Sequence, residues 1–279
     1  MTIEEIIRQS ILEDVGDGDH SSLACIDKHE QGSMQLLVKQ DGILAGIEVA
    51  KMVLSIIDPA IKMEQFLHDG DPIHKGDIAF IIRGSVQSML TAERTVLNFM
   101  QRMSGIATSS HKYVEMVKGT PVTILDTRKT TPNMRYFEKY AVKVGGAQNH
   151  RFGLFDMVML KDNHIDFAGG IEKAIEQTHQ YLKAHNLNLK IEIETRTLDD
   201  VRRVMAYGGV DRIMLDNFTP DQIREALQII DGKYETEASG GITDQTLRAY
   251  AETGVDFISV GALTHHIQSL DLSLKFCKK

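Results

Sequence analysis

Six short apolar runs, each ending in a polar residue or glycine, set the rhythm of the second half of this chain. They are VTILD (to Asp126), MVMLK (to Lys161), KIEIE (to Glu194), RIMLD (to Asp216), TEASG (Ser239, Gly240) and FISVG (to Gly261). Helix-like stretches separate most of them: EKAIEQTHQYLKAHN, LDDVRRVMAYGG, TPDQIREALQII and TDQTLRAYAETG. Three of these have a Thr or Asp placed to cap the start. Apolar runs alternating with helices predict successive parallel β-α units. The last three strand ends are 23 and 22 residues apart, about one unit each. Six strands fall short of the eight that close a full barrel, so the expectation is an incomplete (β/α) barrel of about six or seven parallel strands.

The first half reads differently. Ile3, Ile6, Ile7 and Ile11 recur at helical spacing, and the turn-rich loop EDVGDGDHSS follows. SMQLLVKQ, GILAGIE and DIAFIIRG read as strands, interrupted by a helix at VAKMVLSII. This predicts a small α+β domain. Residues 88–117 predict one long helical region, with Val96, Met100, Met103 and Ala107 on one face as core. Gly105 lies inside it; a helix-interior glycine costs about 1 kcal/mol relative to alanine, so it marks a break or a close backbone approach. The expected domains are residues 1–115 and the barrel at 116–279, with the C-terminal tail packing back on the first.

Composition narrows the class. The chain has 279 residues, 42% hydrophobic and 25% charged, enough for a full core. A net charge of -8 argues against a nucleic-acid partner. No stretch approaches the roughly 18 apolar residues of a membrane span. The acidic, amphipathic N-terminal segment lacks the form of a signal peptide. Cys25 and Cys277 make no disulfide framework and no metal spacing, which suits free thiols in a reducing, cytoplasmic setting.

The chemistry is expected at the strand ends, because barrel enzymes work at the carboxyl face. Ser239-Gly240 and Gly261 close the last two strands and lead towards helices. Glycines there let backbone N–H groups approach an anion, and a following helix adds a favourable dipole. In KIEIE, Glu192 and Glu194 point to one side of the strand and Ile191 and Ile193 to the other. The glutamates then face the barrel interior, where a carboxylate needs cations, a metal or a hydroxylated ligand. Asp216 can share that ligand with Glu194, and Mg²⁺ is suited to one or two carboxylates plus substrate phosphates. A buried ion pair with Lys161 is the plainer alternative. Arg128 and Lys129 follow one strand, and His150, Arg151, Lys161 and His164 surround the next. Cations concentrated at one rim of an acidic protein point to an anionic ligand; arginine grips planar carboxylates and lysine meets phosphate as a point charge. His164 and Asp162 read as structural, and Glu138 with Lys139 as a solvated helix face. No nucleophile stands out: a Ser239–His265 pair lacks a third orienting group, and no HExxH or CxxC is present.

In order along the chain, EDVGDGD, AERTVLN, SGIAT, DTRKTTP, EKYAV, NHRFGL, KDNHI, IEIE, LDNF, EASGGIT and SVGALTH resemble the quinolinate phosphoribosyltransferase family over essentially its whole length. The resemblance implies that quinolinate and phosphoribosyl pyrophosphate give nicotinate mononucleotide, pyrophosphate and CO2, with Mg²⁺. It also implies a small N-terminal domain, a barrel of fewer than eight strands and a homodimer. By the same resemblance Arg94 reaches the partner's site, and Arg128, His150 and Arg151 hold the quinolinate carboxylates. Lys129 and Lys161 face the pyrophosphate and the substrate acid. Glu194 and Asp216 hold ribose and metal, and Ser239, Gly240 and Gly261 the 5′-phosphate. Two positions depart from the family's TTPG and GGG: Asn133 and Ala147. Asparagine tolerates left-handed backbone better than most residues, and neither change removes a charge. Three other readings stand beside this one: a related phosphoribosyltransferase for nicotinate or another small aromatic acid, a Schiff-base aldolase using Lys161, and a phosphate-ligand sensor without turnover.

Overall fold

A computed structural model describes residues 2–277. In chain order its elements begin with α1 (Ile3–Val15), α2 (His20–Cys25), β1 (Gln31–Val38), β2 (Gly42–Ile43), α3 (Ile47–Ile57), β3 (Lys62–Gln65), β4 (Pro72–Ile73), β5 (Ile78–Ser85) and α4 (Val86–Met116). Then come β6 (Thr123–Leu125), α5 (Arg135–Val144), β7 (Val158–Leu160), α6 (Asp162–Ala168), α7 (Ile171–Ala184), β8 (Ile191–Thr195) and α8 (Leu198–Tyr207). The chain ends with β9 (Arg212–Asp216), α9 (Pro220–Ile230), β10 (Glu235–Ser239), α10 (Leu247–Ala251), β11 (Phe257–Ser259), α11 (Ala262–His265) and β12 (Leu272–Phe276). No helix among the described residues is long and apolar enough to cross a membrane.

These elements form two units. The first takes its described residues from 2–111, 130–146 and 262–277, and the second is 112–129 with 147–261. The first unit therefore reaches well past the expected boundary at 115–116, through α5 and the C-terminal stretch. Its main sheet has the order β12-β1-β5-β3. Along β1, Met34, Leu36 and Val38 are buried while their neighbours are not, the period-two pattern of a sheet with one face on the core. The tail does pack back: β12 pairs antiparallel with β1, Leu36 opposite Leu274. The short edge strand β3 carries no apolar run, with Lys62 and Glu64 exposed, and so gave no strand signal.

The long helix α4 buries Val96, Met100, Met103 and Ala107 as expected. Gly105 does not break it. A Cβ there would collide with the Gln268 carbonyl, so the glycine is a close backbone approach. On α5 the expectation of a solvated face is overturned: Glu138 and Lys139 are both buried. Glu138 receives Arg102 Nε at 2.8 Å and the Thr131 N–H at 3.1 Å, so its charge is matched inside the fold. The spacing of α5 was legible; that its polar face turns inward depends on Arg102, 36 residues earlier.

The second unit holds six parallel strands in the order β6-β11-β10-β9-β8-β7. Read in chain order this is nearly a ring: β11 returns to pair with β6, Ile258 opposite Ile124. The open seam lies between β6 and β7, where a parallel bridge from Leu125 to Gln148 extends the free edge of β6. The incomplete barrel is thus as expected. β8 and β9 are buried on both faces, as parallel strands under helices must be. Ile213, Leu215, Ala238 and Ile258 from the strands are fully buried, as are Val201, Val204 and Ile223 from the helices. Thr197 and Thr219 cap α8 and α9 in capping boxes.

Gly105→Val should destabilise the protein by roughly 1–3 kcal/mol, the usual range for overpacking. Urea unfolding with an unchanged m-value would show it; wild-type stability would contradict the close approach.

Candidate active site

The residues singled out from the sequence fall at the carboxyl ends of the barrel strands. Arg128 and Lys129 lie just beyond β6, and Lys161 directly beyond β7. Glu194 is the penultimate residue of β8, Asp216 and Ser239 end β9 and β10, and Gly261 lies just past β11. His150 and Arg151 follow the Gln148 bridge, so they leave the seam at the same end as Asp126–Lys129. Arg94 lies in the first unit, exposed on α4.

Two acids face each other at the rim. Glu194 is half-buried and its pKa is raised, first by burial and then by Asp216, with Lys161 opposing. Asp216 is raised by burial and by Asp162, against the pull of the Asn217 amide, Lys161 and Lys129. Lys129 and Lys161 therefore sit close enough to feel these carboxylates without neutralising them. Ser239 lies opposite Asp216 in the β9–β10 register. Beyond it Gly240 adopts φ 90°, and a Cβ there would run into the Asn217 side chain. Asn217 itself is left-handed, φ 58°, and donates to Asp216 Oδ2 at 2.6 Å. The loops after β9 and β10 thus meet at a glycine that only glycine satisfies. The helices beyond the glycine loops are short: α10 starts at Leu247 and has 5 residues, and α11 has 4. A macrodipole adds little there, so donors for an anion would be the loop amides.

Arg151 and Arg128 form the second group. The Arg151 pKa is lowered by burial and then by Arg128, the signature of two guanidiniums side by side. Arg128 Nε is buried with no hydrogen-bond partner among the described residues. Arg151 reaches only the Met157 carbonyl, at 3.3 Å, and Met159 Sδ. A pair of under-used guanidiniums fits a bidentate carboxylate ligand. His164 is structural, as read: its Nδ1 accepts the Lys161 N–H at 3.0 Å at the start of α6. Asn133 takes the left-handed backbone expected of it, φ 64°.

Below the rim lies a charged group that sequence reading found only in part. His150 Nε2 stands 2.8 Å from Glu192 Oε2 and 3.3 Å from Glu237 Oε2. Arg212 Nη1 donates to Glu237 at 2.9 Å, its Nε and Nη2 reach Glu235, and its face covers Phe257 at 4.0 Å. Glu192 and Glu237 are fully buried. The inward-facing Glu192 was expected to need cations, a metal or a hydroxylated ligand, with an ion pair to Lys161 as the plainer alternative; its partner is His150, not Lys161. Glu237 and Arg212 were missed, although Glu237 stands two residues before Ser239, the same alternation that marked Glu192 and Glu194. Asp126, also fully buried, accepts the His150 backbone N–H at 2.8 Å.

Burial works against charge on His150, but Glu192 and Glu237 outweigh it and the pKa is pushed up to about 9. Nδ1 pulls the other way, since it accepts the Arg151 N–H at 2.6 Å and needs a lone pair to do so. Glu192 is itself pushed up to about 7 by burial and by Glu237, so the buried group shares its protons among the ring and the two carboxylates. His150, Glu192 and Glu237 also form a set of metal-type donors, but the guanidinium on Glu237 and the proton on Nε2 occupy the positions a metal would need.

A parallel barrel with paired guanidiniums, two lysines and two acids of raised pKa on one rim defines an α/β-barrel enzyme for anionic substrates. Comparison with known proteins narrows this. Residues 19–104 match the pattern described as "Quinolinate phosphoribosyl transferase, N-terminal domain", and residues 106–275 match its "C-terminal domain". The chain belongs to the quinolinate phosphoribosyltransferase family. It is 43% identical to "Quinolinate phosphoribosyltransferase [decarboxylating] 2b, mitochondrial" of Nicotiana tabacum, over 98% of this chain and 82% of that one. It is 40% identical to "Probable nicotinate-nucleotide pyrophosphorylase [carboxylating]" of Bacillus subtilis, over 98% and 93%. The crystal structure of NadC from Streptococcus pyogenes superposes with TM-score 0.94 at 40% identity, covering 99% of this chain and 97% of that one.

A folded pKa above the unfolded one means stabilisation that is complete below about pH 6.5, the unfolded His value, and lost as pH rises through about 9. The melting temperature should fall across that window, and His150→Gln should flatten the fall. An equally steep fall in the variant would show that another group titrates.

Proposed function

We propose that this protein transfers the phosphoribosyl group of phosphoribosyl pyrophosphate to the ring nitrogen of quinolinate. One carboxylate is lost as CO2, and nicotinate mononucleotide and pyrophosphate are formed. The observation that carries this reading is the presence, at one rim, of Arg128 beside Arg151, with His150 behind them, and of the acid pair Glu194–Asp216 near Lys129 and Lys161. Several cations suit a diacid better than the single carboxylate of nicotinate. The same cations speak against an aldolase lysine, because Lys161 stands where a pyrophosphate must be neutralised.

Breaking the bond from ribose C1 to pyrophosphate builds positive charge on the sugar and negative charge on the leaving group. Glu194 and Asp216 accept from the ribose hydroxyls and stabilise the cationic sugar; Lys129 and Lys161 take up the leaving charge. Such preorganised electrostatics is often the largest catalytic term. Arg128 and Arg151, with His150 fixed behind Arg151, grip the carboxylates so that the ring nitrogen faces C1. Once alkylated, that nitrogen is cationic and stabilises the electron pair left on the adjacent carbon as CO2 departs. Ser239 and the amides around Gly240 and Gly261 receive the 5′-phosphate.

Mg²⁺ fits the site. Glu194 and Asp216 both resist ionisation, first because they are partly buried and then because other acids lie close, which is the demand for a cation. These two carboxylates would hold it, directly or through waters, and when bound it supplies further charge neutralisation for the pyrophosphate. We also assign a homodimer in which Arg94, exposed on α4, serves the partner's site. Cys25 and Cys277 are free thiols, in keeping with a reducing, cytoplasmic setting.

Incubation with phosphoribosyl pyrophosphate, Mg²⁺ and labelled quinolinate should release mononucleotide and CO2 in equal amounts, with far less turnover of nicotinate. Preferential use of nicotinate, or binding without turnover, would reject the assignment. Arg94→Ala and Lys129→Ala should each be inactive alone and regain part of the activity when mixed. No recovery despite proven subunit exchange would count against a shared site.

A further inference from the structure

The charged group beneath the rim lies directly behind Arg151, whose backbone N–H meets His150 Nδ1. Both carboxylate oxygens of Glu192 and Oε1 of Glu237 lack a directed hydrogen bond among the described residues, although both side chains are fully buried. The 2.8 Å contact from Glu192 to His150 is thus an ion pair held by charge more than by alignment. Buried carboxylates are retained only where a cation faces them. Arg212 is already committed, with Nε and Nη2 on Glu235 and Nη1 on Glu237. The remaining negative charge falls on the His150 ring.

His150 joins this group to the rim. Its backbone N–H is fixed by Asp126, at the end of β6, and its ring Nδ1 lies against the backbone N–H of Arg151. Arg151 in turn stands beside Arg128. The groups that face the ring are therefore Glu192 from β8, Glu237 from β10 with Arg212 of β9 behind it, and Arg151 from its own loop, while Asp126, just past β6, holds the backbone. Two of them are carboxylates directed at Nε2; burial and Glu237 push the Glu192 pKa up to about 7, while, against burial, His150 and Arg212 hold that of Glu237 down.

We propose that Glu192, Glu237 and Arg212 are positioning residues, which hold the His150 imidazole in one orientation, with Nε2 on the acids and Nδ1 on the Arg151 backbone, so that the Arg151 guanidinium is presented in a fixed position to a substrate carboxylate. This rests on the quinolinate reading above for the identity of the carboxylate. The raised pKa of His150 agrees with it, and the geometry of two buried acids on one ring nitrogen carries it. The consequence is a division of labour: the inner acids set affinity for the aromatic acid, while Glu194, Asp216 and the lysines serve the phosphoribosyl donor.

The test uses the isosteric variants Glu192→Gln and Glu237→Gln in the full chain. The His150 ring is followed by NMR from pH 5 to 10, with its signals assigned by loss in His150→Gln. KM for each substrate and kcat are measured from pH 6 to 9. In the wild type the ring should titrate near 9. Removing one facing carboxylate should lower that point by a unit or more and raise KM for quinolinate roughly fivefold, the equivalent of about 1 kcal/mol for one hydrogen bond that fixes Arg151. KM for phosphoribosyl pyrophosphate and kcat should move less than about twofold. An unchanged ring titration in both variants, a shifted titration with unaltered quinolinate KM, or an equal loss for both substrates would each overturn the proposal. Should Glu237→Gln fail to fold, Glu192→Gln, whose carboxylate makes no directed bond, decides alone. The NMR measurement needs no substrate, so it judges the buried group even if quinolinate proves not to be turned over.

Discussion

Parallel strands in a ring can point their carboxyl ends only one way, and everything chemical in this protein follows from that constraint. Each β-α unit delivers the residues just past its strand to a single rim. Asp126, Lys161, Glu194, Asp216, Ser239 and Gly261 are up to 135 residues apart in the chain, yet each ends or follows a strand of one sheet. The six strands do not quite close, and the seam between β6 and β7 is where Gln148 pairs with Leu125. That bridge carries His150 and Arg151 to the same end as Arg128. An incomplete barrel here is a way of admitting a loop of cations where a further strand would otherwise run.

Charge is layered along the barrel interior. At the rim, burial raises the pKa of both Glu194 and Asp216, and neighbouring acids add to it, Asp216 for Glu194 and Asp162 for Asp216, an arrangement that is unfavourable until a ligand or cation arrives. Deeper in, Glu192 and Glu237 are matched by His150 and Arg212 within the protein itself. The two layers differ in who supplies the counter-charge. A site that must bind and release an anion keeps its mismatch near solvent; a scaffold that must hold shape resolves it internally, because an uncompensated buried charge costs several kcal/mol.

Much of this was legible from residue order. The strand ends were located to within a residue or two, since apolar runs bounded by polar residues report buried parallel strands whatever the neighbours are. Asn133 was read as a residue able to take the left-handed backbone, and does. Gly105 was read as a break or a close approach, and is the latter. Other features escaped. Glu138 and Lys139 look solvated in any local reading, and only Arg102, on a different helix, explains why Glu138 can be buried. Arg212 opens a strand and would pass for an edge cation; its burial depends on Glu235 and Glu237 of the next strand.

The sequence by itself determined the alternation of strands and helices, the residues at each strand end and hence the kind of anion the rim could take. These depend on local periodicity and on side-chain type, which the order of residues states directly. Only the tertiary structure decided which charges meet: that Glu192 faces His150 and not Lys161, that Glu237 completes the pair, and that the tail returns to the first sheet through β12. The physical reason is range. A helix or strand is a property of neighbours in the chain, whereas an ion pair across a barrel is set by register between strands, and register is chosen by the packing of the whole.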